Sequence, residues 1–230
     1  MVQKHFGQEL DQLKNSLTQM TSLVTSQITM AAEALEKGDL ELCRVVKSRD
    51  KEIDAYENLI QAQCENLFAL FQPVATDLRY IMSAMMVNNQ LERCGDIAVN
   101  IVQRAQKTAD HRQLIVKSQI LDMLRAAQSM TLDAISAFLH NDVDLARKVI
   151  AQDDVVDNFN KQIFNDLVER MKKDPQVVEP GAHLIVLTRQ IERMADHSTN
   201  IAEDVVFLVE AQIVAHRELS AGSEKPSATS

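Results

Sequence analysis

Pairs of acidic residues at helical spacing are the feature of this sequence that could do chemistry. The pattern Glu-x-x-x-Asp occurs twice, and a spacing of four residues puts both carboxylates on one face of a helix. The four residues are Glu92, Asp96, Glu192 and Asp196. Carboxylate oxygens are hard ligands, which favour Mg²⁺, Ca²⁺, Mn²⁺ or an iron–carboxylate cluster over Zn²⁺. The pattern therefore predicts metal binding.

Four more acids precede these pairs, two in each half of the chain: Asp50, Asp54, Asp153 and Asp157. Fold-backs at Pro73 and at Asp174-Pro175 would bring them to the level of the Glu-x-x-x-Asp pairs. The predicted neighbours are Asp54 with Glu92, Asp50 with Asp96, Asp157 with Glu192 and Asp153 with Asp196. Four like charges at one level would raise pKa values or push the helices apart, unless a cation neutralises them. We therefore expect all eight residues to be metal ligands.

Two simpler explanations of the same acids compete with metal binding. Acidic residues at helical spacing usually form a solvated face. Arg93 and Arg193 could also pair with Asp96 and Asp196 three residues on, which would give an ion-pair lattice. Metal binding is favoured because the acids continue core-facing stripes and because the whole arrangement occurs twice. His197 follows Asp196 directly and points to another side of the helix, so we expect it to form hydrogen bonds rather than bind metal.

An internal repeat accounts for this duplication. The Glu-Arg-x-x-Asp-x-x-x-Asn-Ile pattern that begins at Glu92 recurs at Glu192, 100 residues later. Upstream of it, Asp50 and Asp54 match Asp153 and Asp157 at an offset of 103. A tandem duplication explains both offsets if the second copy is three residues shorter between these segments.

Turn signals divide each copy into three long helices. Gly38-Asp39 and Asn141-Asp142 each read as a helix end followed by an N-cap, and Pro73 and Pro175 mark the other boundaries. The apolar periodicity predicts helices over residues 8–37, 40–72, 74–108, 114–140, 143–173 and 181–216. Because the connections between these helices are short, consecutive helices must pack side by side and run antiparallel. The predicted fold is all-α, a tandem duplication of an up-down-up three-helix bundle over 1–109 and 110–218, with a disordered tail over 219–230.

Composition supports this fold class and excludes several functions. The 230 residues include only 5 Gly, 4 Pro and 9 aromatic residues, which argues against an all-β fold. A net charge of −9 argues against nucleic-acid binding, and no apolar run is long enough to insert into a membrane. Three cysteines without a CxxC pair indicate reduced, buried thiols. We expect a cytoplasmic protein. The motifs GxGxxG, GxxxxGK[ST], GxSxG and HExxH are absent.

The same residues resemble the PhoU family, the accessory regulators of bacterial phosphate uptake. The resemblance lies in Pro-Val-Ala-Thr-Asp-Leu-Arg from Pro73, in the segment from Glu92 to Ile101, and in the segment from Ile191 to Asp204. The second copy lacks the Pro-Val-Ala-x-Asp-Leu-Arg run, so its hairpin turn is expected to differ.

The resemblance implies a pair of three-helix bundles that form a homodimer, with a multinuclear metal site on each bundle built around the Glu-x-x-x-Asp pairs. It implies bound iron, Mn²⁺ or Mg²⁺, with Zn²⁺ less favoured. It also implies a non-enzymatic negative regulator that links the phosphate ABC transporter ATPase to the sensor histidine kinase of phosphate starvation. Those partners would recruit the protein to the inner face of the membrane.

Two other functions remain open at the level of the sequence. A carboxylate-bridged metalloenzyme, an oxidase or a phosphatase, would need open coordination positions and a general acid. The Glu-x-x-His pairs of di-iron bundles are absent, which weakens that alternative. A purely structural helical scaffold would leave all the acids solvated.

Overall fold

The computed structural model describes residues 2–211, and all of its long elements are α-helices. Seven α-helices lie in this part of the chain: α1 (Val2–Lys37), α2 (Leu40–Phe71), α3 (Ala75–Lys107), α4 (Arg112–Lys117), α5 (Ile120–His140), α6 (Val143–Lys173) and α7 (Val178–Glu210). Short 3₁₀ turns at Ala109–His111 and Pro175–Val177 join α3 to α4 and α6 to α7. The all-α fold with six long helices is confirmed.

The helix boundaries predicted from turn residues are confirmed at the ends of α1 and α5. Gly38 (φ 69°) and Asn141 (φ 53°) adopt the left-handed conformation that ends a helix. The next residue then caps the following helix. The Asp39 carboxylate accepts from the backbone nitrogens of Glu41 and Leu42, and the Asp142 carboxylate accepts from that of Leu145 at 3.0 Å.

Three predicted boundaries differ from the structure. The predicted helix over 114–140 is broken at Gln119, a left-handed residue (φ 58°) between α4 and α5, and the buried residues Ile115 and Ile120 lie on either side of the break. Helix α1 begins at Val2, six residues earlier than predicted. Helix α7 begins at Val178, since Pro180 is tolerated in a first turn that needs no amide donor. Its predicted end at 216 and the predicted tail over 219–230 lie outside the described residues.

Four helices lie side by side in the order α2, α3, α7, α6, so α3 and α7 join the two repeats. Helix α1 packs on α2 and α3, and α5 packs on α6 and α7. The acidic residues lie at the α2–α3 contact in the first repeat and at the α6–α7 contact in the second.

A polar line runs along the contact between α3 and α7. The His197 Nδ1 atom donates to Gln90 Oε1 at 2.7 Å, and Arg104 Nη1 donates to His183 Nδ1 at 3.3 Å. These pairs show that the two helices run antiparallel. They confirm the predicted hydrogen bonding of His197, and His183 forms an interhelical hydrogen bond as well. Asp204 of α7 is also buried.

The cysteines and the hydropathy of the helices can be compared with the sequence in the described residues. All three cysteines are free and buried. None of the helices over residues 2–211 is long and apolar enough to cross a membrane.

Candidate metal centre

The first acidic patch, formed by Asp50, Asp54, Glu57, Glu92 and Asp96, lies where α2 and α3 pack together. A side chain from a third helix reaches it: Gln27 of α1 is buried, and its Nε2 donates to Asp50 Oδ1 at 3.1 Å and to Gly95 O at 3.3 Å. Gly95 allows α2 and α3 to pack closely here, because a Cβ at this position would lie only 3.0 Å from Ile53 Cδ1.

Glu92 is the most perturbed carboxylate of this patch. Burial, then the negative charge of Asp96, raises its pKa to about 7, and Glu57 adds to the effect. The pKa of Asp50 is also raised, first by burial, with Asp54 and Asp96 adding to it and the Gln27 hydrogen bond opposing it. The negative charges of these carboxylates therefore repel one another, and the groups around them do not fully offset this repulsion.

Arg93 forms ion pairs with the first patch. Its Nε lies 3.4 Å from Glu92 Oε2, and its Nη1 lies 3.8 Å from Asp96 Oδ2. The buried Oε2 atom of Glu92 accepts no hydrogen bond within residues 2–211. The ion-pair lattice considered from the sequence is thus formed here, but at long distances that leave one carboxylate oxygen without a donor.

The second acidic patch, formed by Asp153, Asp157, Glu192 and Asp196, lies between α6 and α7. The pKa of Asp196 is raised to about 6, first by partial burial and then by Asp153 and Glu192, with a smaller effect of Asp157. Asp153 accepts a hydrogen bond from Thr199 Oγ1 at 3.3 Å.

Glu192 is neutralised differently from its counterpart Glu92. Arg189, one turn before it, and Asn160 of α6 both donate to Glu192 Oε2, the latter at 2.8 Å. Arg193, the residue expected from the sequence to pair here, forms no ion pair within 4.0 Å in the described part of the chain. The two patches are equivalent in position but not in their hydrogen bonds.

The structure therefore groups the eight predicted residues into the two expected patches, with changes in detail. Asp50 interacts with Asp96, and Asp153 with Asp196, as the fold-back predicts. Glu92 interacts with Glu57, whereas the prediction paired it with Asp54, which is exposed. No group of three His, Cys, Asp or Glu side chains over the described residues converges closely enough to hold a metal ion as these side chains stand.

The residues nevertheless suit a hard cation. The Glu92 Oε2 atom accepts no hydrogen bond in the described residues, and the pKa values of Glu92 and Asp196 stay raised although Arg93 and Arg189 lie nearby. The carboxylate oxygens, with the amide oxygen of Asn160, form the donor set that Mg²⁺, Mn²⁺ and iron prefer. Cation binding would first require these side chains to rotate toward one another.

The sequence analysis did not select several residues that shape the patches. These are Gln27, Glu57, Asn160, Arg189 and Thr199. Gln27 could have been found from the pattern, because it is a polar residue on the apolar stripe that also contains Met20, Val24 and Ala31. Arg189 gives no such signal, since an exposed arginine on a helix is common.

The chain matches the family model of the PhoU domain twice, at residues 17–105 and 120–205. It is 36% identical over 216 residues to the phosphate-specific transport system accessory protein PhoU homolog of Aquifex aeolicus, covering 94% of this chain and 98% of that protein. It is 34% identical over 206 residues to the homolog of Caulobacter vibrioides, covering 89% of each chain.

Two solved structures share the fold. The crystal structure of PhoU from Pseudomonas aeruginosa has a TM-score of 0.84 at 32% identity, covering 90% of this chain and all of that one. The phosphate transport system regulatory protein PhoU from Streptococcus pneumoniae has a TM-score of 0.83 at 26% identity, covering 91% of this chain and 99% of that one.

Proposed function

The chain belongs to the PhoU family, and on that premise we propose that it is a metal-binding, non-enzymatic negative regulator of phosphate uptake and phosphate-starvation signalling. Its curated relatives are named as accessory proteins of phosphate-specific transport, which supports a regulatory role in that process. In this proposal the protein links the phosphate ABC transporter ATPase to the sensor histidine kinase, acts as a homodimer, and works in the cytoplasm beside the membrane.

The observation that carries the proposed metal binding is the Glu92 carboxylate, whose buried Oε2 accepts no hydrogen bond in the described residues and whose pKa stays raised despite Arg93. A buried carboxylate oxygen without a donor is costly, and a second patch of acids occupies the equivalent place in the other repeat. In the first patch Glu92, Asp96, Asp50 and Asp54 would hold the cation. A bound cation would neutralise the patch and offer open positions to an oxygen ligand of a partner.

In the second patch Glu192, Asp196, Asp153 and Asp157 would do the same. Here Arg189 must first release Glu192, because its guanidinium already occupies Glu192 Oε2. Cation binding and the position of Arg189 are therefore linked in the second repeat.

The thiols support a role other than catalysis. Burial raises the pKa of Cys64 and Cys94 to about 12 and raises that of Cys43, so all three remain protonated at neutral pH and are poor nucleophiles.

Elemental analysis tests the metal-binding part. The purified chain would be dialysed against Mg²⁺, Mn²⁺ or Fe²⁺ beside a variant with alanine at the four Glu-x-x-x-Asp positions. We expect stoichiometric metal in the parent chain and its loss in the variant, with helicity by circular dichroism as the control for folding. Absence of metal from both proteins would overturn this part.

A separate experiment tests regulation. Deletion of the chain from its host should derepress phosphate-starvation genes at high phosphate, and the complete chain should restore repression. If the four-alanine variant also restores repression, the protein is a regulator but its regulatory role does not depend on metal. Turnover of a phosphate ester or of dioxygen by the metal-loaded chain would favour the metalloenzyme instead.

A further inference from the structure

The groove beside the second acidic patch differs in chemistry from its counterpart in the first repeat. This groove between α6 and α7, the α6/α7 groove, has a volume of about 380 Å³ and is open to solvent. Six residues line it: Asn160, Lys161, Phe164, Asn165, Ile185 and Arg189.

The α2/α3 groove occupies the equivalent place in the first repeat and has a volume of about 240 Å³. Its lining residues are Glu57, Gln61, Met85, Asn88 and Asn89. By the repeat offsets, Asn160 replaces Glu57, Phe164 replaces Gln61, and Arg189 replaces Asn89. The duplication therefore supplies a matched pair of sites that share backbone geometry but not side chains.

The charge of the two grooves has opposite sign. The α2/α3 groove is lined by one acidic residue and no basic one, whereas the α6/α7 groove is lined by Lys161 and Arg189 and no acidic residue. Arg189 is bound to Glu192, but Lys161 forms no ion pair within 4.0 Å in residues 2–211. One lysine therefore remains available to an acidic ligand, and Arg189 becomes available whenever it leaves Glu192.

The apolar lining of the α6/α7 groove also differs from that of the α2/α3 groove. Phe164 is a large aromatic side chain with 47% of its surface exposed, and Ile185 on α7 lines the groove with it. The equivalent position to Phe164 is the polar Gln61. An exposed aromatic side chain flanked by cations is typical of a contact site for another molecule.

We infer that the α6/α7 groove binds an amphipathic helical segment of a partner protein that carries acidic side chains beside large apolar ones. A groove between two helices, open to solvent, accepts the apolar face of a third helix. Lys161 and Arg189 complement the acidic residues, and Phe164 with Ile185 receives the apolar ones. The inference names a partner class for the regulator proposed above and rests on that proposal.

The chain contains no tryptophan, which allows a direct test. Phe164→Trp places a single emitter in the α6/α7 groove, and Gln61→Trp places one at the equivalent position of the α2/α3 groove as the matched control. The probe is a capped helical peptide with leucines along one face and glutamates beside them. Two control peptides carry glutamine for glutamate or serine for leucine.

We expect the acidic, leucine-bearing peptide to shift the emission of Phe164→Trp to shorter wavelength in a saturable way. Adding Lys161→Gln should weaken this binding about threefold to tenfold, because one charge contact is lost. Both control peptides should bind at least about tenfold more weakly, and Gln61→Trp should show no saturable change.

Three results would overturn the inference: no binding of the acidic peptide, equal binding of the glutamine peptide, or an equal response of Gln61→Trp. Sedimentation of the chain and of Phe164→Ser provides a further check, because dissociation of an oligomer by this variant would assign the groove to a second copy of the chain. If the acidic peptide shows no binding while deletion of the chain still derepresses phosphate-starvation genes, the partner class assigned to the α6/α7 groove is wrong, but the proposed regulatory function stands.

Discussion

Glu92 and Glu192 occupy equivalent positions in the two repeats, yet only Glu192 has hydrogen-bond donors. Arg189 and Asn160 both donate to Glu192, whereas the buried Oε2 of Glu92 has no donor in the described residues. The repeat has thus kept the carboxylates in place while changing what neutralises them. The predictions below use this difference and the other buried polar groups.

Replacement of Glu92 by glutamine should stabilise the metal-free protein at high pH. Because burial and Asp96 raise the pKa of Glu92 from 4.5 to about 7, the folded state holds this proton more tightly than the unfolded state. The free energy of unfolding therefore falls as the pH rises from about 4.5 to about 7. Urea unfolding with a chelator should show Glu92→Gln more stable by roughly 2–3 kcal/mol at pH 8 and by less than about 1 kcal/mol at pH 5. A gain that is the same at both pH values would contradict this prediction.

Glu192→Gln is the matched variant and should have the opposite effect. It removes the charge that accepts from Arg189 and Asn160, so we expect a loss of roughly 1 kcal/mol at pH 8. The same urea titration measures it. Equal responses of the two variants would show that the repeats neutralise these carboxylates in the same way.

Metal affinity should increase with pH. A proton on Glu92 (pKa about 7) must leave before the carboxylate can bind a cation, so Mn²⁺ affinity at the first patch should rise about tenfold between pH 6 and pH 8. Calorimetry at pH 6.5 in two buffers with different ionisation enthalpies would count the protons released. An affinity that does not change over this interval would exclude Glu92 as a ligand.

Gln27→Met should destabilise the first repeat. The second repeat carries Met130 at the position equivalent to Gln27, so methionine fits this environment in shape. In the first repeat the change leaves Asp50 Oδ1 and Gly95 O without their shared donor, which should cost roughly 1–3 kcal/mol in the free energy of unfolding. Gln19→Met, at an exposed glutamine of α1, is the control and should change it by less than about 0.5 kcal/mol in the same urea assay.

Asp204→Asn should stabilise the folded protein at neutral pH and above. Burial, with Glu203 adding to it, raises the pKa of Asp204 to about 7, so its ionisation opposes folding between about pH 4 and pH 7. The melting temperature of Asp204→Asn should therefore exceed that of the parent at pH 8 and approach it at pH 5. Asp154→Asn, at an exposed position of α6, should show no such dependence. An identical shift at both pH values would show that the aspartate is not titrating.

Much of the fold was predictable because local signals agree with one another. Gly38-Asp39 and Asn141-Asp142 each combine a left-handed helix end with an N-cap, and both boundaries are confirmed. The break at Gln119 had no such signal, since neither Gly nor Pro is present. Buried apolar residues lie on both sides of the break, Ile115 before it and Ile120 after it, so the apolar pattern gives no indication of the break either.

The sequence by itself determined the duplicated helices and the placement of the acids in two patches, because helical periodicity and a fixed repeat offset are local properties of the chain. The tertiary structure decided which charges are compensated. Whether Glu92 lacks a donor, or Gln27 reaches Asp50 from another helix, depends on distances between helices that no spacing along the chain encodes. The same holds for the opposite charges of the two grooves, which become visible only when α6 and α7 bring Lys161, Phe164 and Arg189 together.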